Sequence, residues 1–171
     1  VDCTCAFVRR TQHIVKEKSA EGKTIVIVGE RTHPEVIGIT GWCENGAHVI
    51  SSEEDDFGFL KGKDCCVVAQ TTFSEEKFEK IIKNLRDKRG KTVEVFKTIC
   101  YTTVSRQNEA RKLAAECDAI LVIGGLNSSN TGKLYDICKE HCENVFRLKN
   151  AEDCDYMKLK SFKKVGVVTG A

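Results

Sequence analysis

Short apolar runs alternate along the chain with stretches whose apolar residues recur every three or four positions. The runs Thr24–Val28, His48–Ser51, Cys65–Ala69, Thr92–Lys97, Ala119–Ile123, Val145–Leu148 and Lys164–Val168 are rich in Val and Ile and mostly apolar on both faces, as strands buried in a parallel sheet are. Between them, Phe78, Ile81, Ile82 and Leu85 stand at i, i+3, i+4 and i+7, with Ser74 placed to cap the helix start and Gly90 beyond its end. Ala110, Leu113, Ala114 and Cys117 repeat that spacing, Leu134, Ile137 and Cys138 give a shorter version, and another helix runs from Phe7 to about Ala20. This strand–helix alternation predicts an α/β fold with a mainly parallel sheet.

Laid over each other, the two halves match. Cys5 opens a helical stretch, and 24 residues later Ile25-Val26-Ile27-Val28 ends in Gly29; Cys100 does the same, and 24 residues later Ile120-Leu121-Val122-Ile123 ends in Gly124. A polar loop follows each glycine, residues 30–35 and 125–130, and Val67-Val68-Ala69-Gln70-Thr71 is echoed by Val167-Val168-Thr169-Gly170-Ala171. The shared order predicts two similar α/β domains, 1–96 and 97–171, each presenting one cysteine and one polar loop.

Composition narrows the classes. With 171 residues, 41% hydrophobic and 30% charged, the chain has the makeup of a folded globular protein. The 27 basic residues nearly cancel the 25 acidic ones, so no electrostatic footprint points to nucleic acid, and Lys77–Lys91, interleaved with glutamates, reads as a solvated helix face. No apolar run approaches a membrane span, and the polar start Val1-Asp2-Cys3-Thr4-Cys5 predicts no secretory leader, hence a cytoplasmic location. Ten cysteines are many, but most sit in apolar runs and read as small buried hydrophobes. No Cys-x-x-Cys pair occurs, which removes the commonest zinc and dithiol patterns, and Cys138 with Cys142 makes at most an incomplete metal site.

The candidate chemistry lies at strand ends, where α/β proteins bind ligands. Asn127-Ser128-Ser129-Asn130 opens a helix, so hydroxyls, amides and free backbone N–H groups converge on one spot suited to phosphate oxygens; ordinary capping explains one such residue, and four in a row exceed that need. A P-loop and a Gly-x-Gly-x-x-Gly fingerprint are both absent. His33-Pro34-Glu35 pairs an imidazole with a carboxylate able to move protons, and reads equally as a helix start with proline first. Gln70-Thr71-Thr72 adds hydroxyls at the same edge, or is a simple turn. The repeat makes Cys5 and Cys100 equivalent, so two domains would each bring one thiol to a shared edge, where a cluster or metal needs at least one more.

In order along the whole chain, Asp2-Cys3-Thr4-Cys5, Thr32-His33-Pro34-Glu35-Val36 with Gly38 and Gly41, Gln70-Thr71-Thr72, Thr98-Ile99-Cys100 with Arg106-Gln107, Gly124-Gly125-Leu126-Asn127-Ser128-Ser129-Asn130 and Val168-Thr169-Gly170-Ala171 resemble the IspH or LytB family, the 4-hydroxy-3-methylbut-2-enyl diphosphate reductases of isoprenoid biosynthesis by the MEP pathway. The resemblance implies a trefoil of three pseudo-equivalent α/β domains around a 4Fe-4S cluster held by three cysteines. It implies an oxidoreductase that removes the substrate hydroxyl to give isopentenyl and dimethylallyl diphosphates, drawing electrons from a donor such as ferredoxin or flavodoxin. Position by position, Cys5 and Cys100 resemble two cluster ligands and Glu35 the proton donor, while His33, Thr71, Thr103, Ser128, Ser129 and Asn130 resemble residues that bind substrate or relay protons. Ala6 departs from the family, which usually has proline there, and Gln12 stands where the family has histidine, with His13 one place off. The family's first domain would precede Val1 and its serine would follow Ala171; the chain is therefore expected to be the second and third domains, inactive alone, with the third ligand elsewhere. Two other classes stay open: a non-redox module that binds a phosphorylated metabolite, and a thiol-rich metal-binding protein.

Overall fold

A computed structural model describes residues 1–87 and 92–170; Gly90 and Ala171, singled out above, lie outside the described residues. The chain forms two compact units, Val1–Cys100 and Tyr101–Ala171.

Unit 1 runs α1 (Ala6–Ala20), β1 (Thr24–Val28), α2 (Pro34–Thr40), β2 (His48–Ile50), β3 (Cys65–Ala69), α3 (Glu75–Asp87) and β4 (Val93–Val95). Its sheet has the order β2-β1-β3-β4, and every pair is parallel. The central strands are buried on both faces, which is why their sequences read as unbroken apolar runs. Between β1 and β3 the core of Val15, Ile25, Ile27, Val36, Ile39, Cys66 and Val68 joins α1 and α2 to one sheet face. The Phe78, Ile81, Ile82 and Leu85 stripe of α3 is buried as its spacing predicts, and the Ser74 carbonyl accepts the first helical bond from Phe78 N at 3.0 Å.

Unit 2 repeats the plan with α4 (Tyr101–Glu116), β5 (Ala119–Ile123), α5 (Ser129–His141), β6 (Asn144–Leu148), α6 (Tyr156–Leu159) and β7 (Val165–Thr169), in a parallel sheet of order β6-β5-β7. The two sheets match bond for bond. Gly29 N donates to Ile50 O at 2.9 Å and Gln70 N to Val28 O at 2.8 Å; Gly124 N donates to Leu148 O at 3.0 Å and Gly170 N to Ile123 O at 2.8 Å. The repeat read from the sequence is thus a repeat of hydrogen-bond register, with β4 an addition found in unit 1. Among the described residues no helix is long and apolar enough to cross a membrane.

Two short elements carry no periodic signal: α2, seven residues long, and α6, four residues long. Both start on side-chain caps, His33 Nδ1 accepting from Glu35 N and Asp155 from Met157 N and Lys158 N.

Leu134 is fully buried in the unit 2 core with Ile120, Val122 and Cys138. Leu134→Ala is expected to destabilise that unit by about 2–5 kcal/mol through lost burial and the cavity left behind, read as a lower midpoint in denaturant unfolding.

Candidate active site

Residues that follow parallel strands share one edge of the sheet, and in unit 1 this edge holds the loops 29–35 and 70–72. Helix α1 packs on β1 and β3 and returns to β1 through a tight turn at Gly22, whose φ of 78° suits glycine. It therefore runs antiparallel to the strand, and its first turn, preceded by Cys5, lies toward the same edge. Cys5 is exposed and Cys100 half-buried, and both are free thiols.

Thr71 ties this edge together. Its N–H donates to Glu35 Oε1 at 2.6 Å and its hydroxyl to Glu35 Oε2 at 2.8 Å, while its carbonyl accepts from Cys100 N at 2.9 Å. Both oxygens of one carboxylate are thus fixed, and the backbone beside one thiol is held by the same residue. Pro34 opens α2 with a preset φ, as proline does at a first helical position, and His33 caps it, Nδ1 accepting from Glu35 N at 3.2 Å. The segment 33–35 is therefore a helix start and also an acid placed against Thr71; the two readings of the sequence describe one structure.

Two residues not assigned from the sequence complete the frame. Gln70, fully buried, accepts from Glu30 N at 2.9 Å and donates to Thr72 Oγ1 at 2.8 Å. The Thr98 hydroxyl accepts from Ala69 N at 2.8 Å and donates to Ala69 O at 2.6 Å, which pins the approach to Cys100 against the end of β3. Their backbone partners, Glu30 and Ala69, lie 40 and 29 residues away in sequence, so only the fold reveals them.

In unit 2 the equivalent edge carries Ser128, Ser129 and Asn130. Ser128 caps α5, its Oγ accepting from Thr131 N at 3.3 Å, and Lys133 Nζ donates to Ser129 Oγ at 2.9 Å. The first turn of α5 carries no acidic residue, so the helix dipole and Lys133 together favour an anion. Thr131 wedges this turn onto the sheet: a Cβ at Gly170 would collide with Thr131 Oγ1 and lie 2.9 Å from its backbone Cα. At an offset of 95, His33 corresponds to Ser128, both N-caps, and Glu35 to Asn130. Glu35 has found Thr71, whereas Asn130, 6% exposed, keeps its Oδ1 without a partner. Thr103 is buried in the first turn of α4.

Thiolate is the ligand form of cysteine. Burial pushes the thiols of Cys43 and Cys138 up to about 11 and that of Cys66 up to about 12, which makes them inert packing groups. Cys5, exposed, and Cys100, half-buried, both at the strand-end edge, have the soft-donor chemistry of iron–sulfur ligation. They fit such a cluster in kind and fall short in number: among the described residues no three His, Cys, Asp or Glu side chains gather to hold a metal ion.

The family model described as LytB protein matches residues 1–171. The chain belongs to the LytB protein family. It is 43% identical, over its whole length and 61% of the relative's, to a 4-hydroxy-3-methylbut-2-enyl diphosphate reductase of Alkaliphilus oremlandii. A reductase of the same name from Clostridioides difficile is 41% identical, again over the whole of this chain and 61% of that protein. A solved structure of the E-1-hydroxy-2-methyl-but-2-enyl-4-diphosphate reductase from Plasmodium falciparum superposes with a TM-score of 0.89 at 28% identity, covering all of this chain and 55% of that one. The LytB chain thus spans about three fifths of the length of the curated relatives it matches.

Alkylation of the native protein at pH 8 is expected to label Cys5 and Cys100 and to spare Cys66 and Cys138, as read by peptide mass spectrometry. Buried thiols also set an alkaline limit. Above about pH 9, the ordinary thiol value, the unfolded state releases protons that folded Cys66 and Cys138 retain to about 12 and 11. The folded state then binds more protons, so this contribution to stability is full below pH 9 and is lost as pH rises from about 9 to about 12.

Proposed function

We propose that this LytB chain supplies part of the active site of a reductase that replaces the allylic hydroxyl of 4-hydroxy-3-methylbut-2-enyl diphosphate with hydrogen, giving isopentenyl and dimethylallyl diphosphates. The observation that carries the reading is the Glu35–Thr71 clamp, joined through the Thr71 carbonyl to the backbone of Cys100. The overall change takes up two electrons and two protons and releases one water. Cys5 and Cys100 provide two thiolates to a 4Fe-4S cluster, which when bound supplies the electrons one at a time.

This chain's residues handle the proton and the charge. Glu35 holds a proton for the departing hydroxyl, and Thr71 fixes both of its oxygens, so the acid needs little reorientation. The Thr71 hydroxyl, which donates to Glu35, keeps lone pairs with which to accept in turn, making the pair a short relay. Ser128, Ser129 and Asn130 at the start of α5 take diphosphate oxygens, with Lys133 adding charge; His33 and Thr103 contribute polar contacts to substrate. A ferredoxin or flavodoxin delivers the electrons. Ten free cysteines suit a reducing compartment, so the protein works in the cytoplasm.

A second reading, a phosphometabolite-binding module without redox chemistry, draws on the start of α5, which suits a phosphate group without any thiol. Iron separates the two: the reductase carries it and the module does not.

In the iron-loaded protein, Glu35→Gln is expected to lower turnover about 10²–10⁴-fold while the visible cluster spectrum survives. Cys100→Ser replaces a soft thiolate by a hard oxygen, so iron content and activity should fall together. A wild-type rate in Glu35→Gln, or full iron in Cys100→Ser, would remove the corresponding role.

A further inference from the structure

We infer that Arg147 is the positioning residue of the diphosphate loop, performing in unit 2 what Arg31 performs in unit 1. The inference rests on the diphosphate reading of Ser128, Ser129 and Asn130.

Arg31 and Leu126 are equivalent, each two residues past the glycine that ends the central strand of its sheet. Val49 and Arg147 are equivalent too, since Val49 pairs with Ile27 in β1 and Arg147 with Val122 in β5. In unit 1, Arg31 Nη2 reaches from the loop to the strand and donates to Val49 O at 3.3 Å. In unit 2 the direction is reversed: Arg147 Nη2 reaches from the strand to the loop, donating to Leu126 O at 2.6 Å and Gly125 O at 3.1 Å. The same two positions are joined by a guanidinium in both units, supplied from opposite ends. A tether that survives while its arginine changes places points to the link itself as the requirement.

The loop needs one. Gly125, Leu126 and Asn127 are exposed, Leu126 by 60%, so no apolar packing fixes them. Gly125 O accepts from Ser128 N at 3.0 Å as well as from Arg147, which makes the guanidinium part of the turn that sets Ser128. A Cβ on Gly132 would lie 4.0 Å from Arg147 Nη1, so the charge sits beside the first turns of α5 and adds to the field an anion meets there. Among the described residues, the buried side-chain atoms without a hydrogen-bond partner are Asn130 Oδ1, Thr131 Oγ1 and Arg147 Nε. All three belong to this helix start or to the residue holding its loop. Unsatisfied buried polar groups are costly, and their concentration here marks a place held for binding at the expense of stability.

Without the tether, Ser128, Ser129 and Asn130 no longer converge, while Glu35 and Thr71 in unit 1 keep their bonds. Binding therefore suffers and the chemical step does not. The test uses the intact iron-loaded protein, with inorganic pyrophosphate as the calorimetric probe. Arg147→Met is expected to weaken pyrophosphate binding about tenfold or more, as loss of a charge-assisted bond does, to raise KM in step, and to leave kcat near the wild-type value. The double variant Arg147→Val with Leu126→Arg installs the unit 1 arrangement and is expected to recover most of the lost affinity, which general damage to the fold would not allow. Arg147→Lys keeps charge without the planar fork and should fall between; it carries the test if Arg147→Met does not fold. Amide exchange at Ser128–Thr131 should quicken in each weakened variant, and this readout needs no ligand. Wild-type pyrophosphate affinity and exchange in Arg147→Met or Arg147→Lys would overturn the inference, as would a folded double variant that regains neither. Failure of the wild-type protein to bind pyrophosphate would instead count against the diphosphate reading, leaving exchange to decide the tether.

Discussion

Thr71 is the point on which unit 1's site depends. Its three polar groups are all committed: N–H and hydroxyl to Glu35, carbonyl to the backbone of Cys100. It occupies that place because β3 is central, bonded to β1 on one side and β4 on the other. Residues just past its end reach both the loop that carries Glu35 and the segment that leads to Cys100. Gln70 and Thr98 brace the two sides. The arrangement joins a carboxylate and a thiol-bearing backbone at one edge of the sheet.

The two units show how one scaffold diverges at its edge. Their sheets share strand order and register, and their strand-end glycines make matching bonds. Close approach explains the glycine at 29: a Cβ there would meet Val36 Cγ2 at 2.8 Å and Gln70 Cβ at 2.9 Å. On that common frame, position 35 carries a carboxylate already fixed by a partner and its equivalent, position 130, an amide whose oxygen is open. The first arrangement suits proton handling, the second suits contact with an anion. The arginine tether follows the same logic, with its position exchanged and its bond retained.

Fold class was legible in the sequence because parallel strands buried on both faces leave unbroken Val and Ile runs, as in Ile25–Val28 and Cys65–Ala69, while helices such as α3 leave a clean stripe. The internal repeat was legible because it preserves spacing from cysteine to glycine. What did not show is short or distant. Helix α2 showed its proline-first start but not its extent, since two turns are too few for periodicity to register. Gln70, Thr98 and Arg147 act on backbone groups more than twenty residues away, and nothing local in the sequence announces such bonds. Cys5 and Cys100 were separable from the packing thiols through the repeat, and the structure adds the physical difference: burial holds Cys66 and Cys138 protonated, while Cys5 lies exposed.

The central claim is that Thr71 holds Glu35 ready for proton delivery. It is tested most directly by kcat of Thr71→Val at saturating substrate in the iron-loaded protein, a substitution that keeps the side chain's shape and the backbone N–H but removes the hydroxyl. The account predicts a fall of up to about tenfold, as loss of one neutral hydrogen bond gives, with iron content and KM unchanged. A wild-type kcat would contradict it.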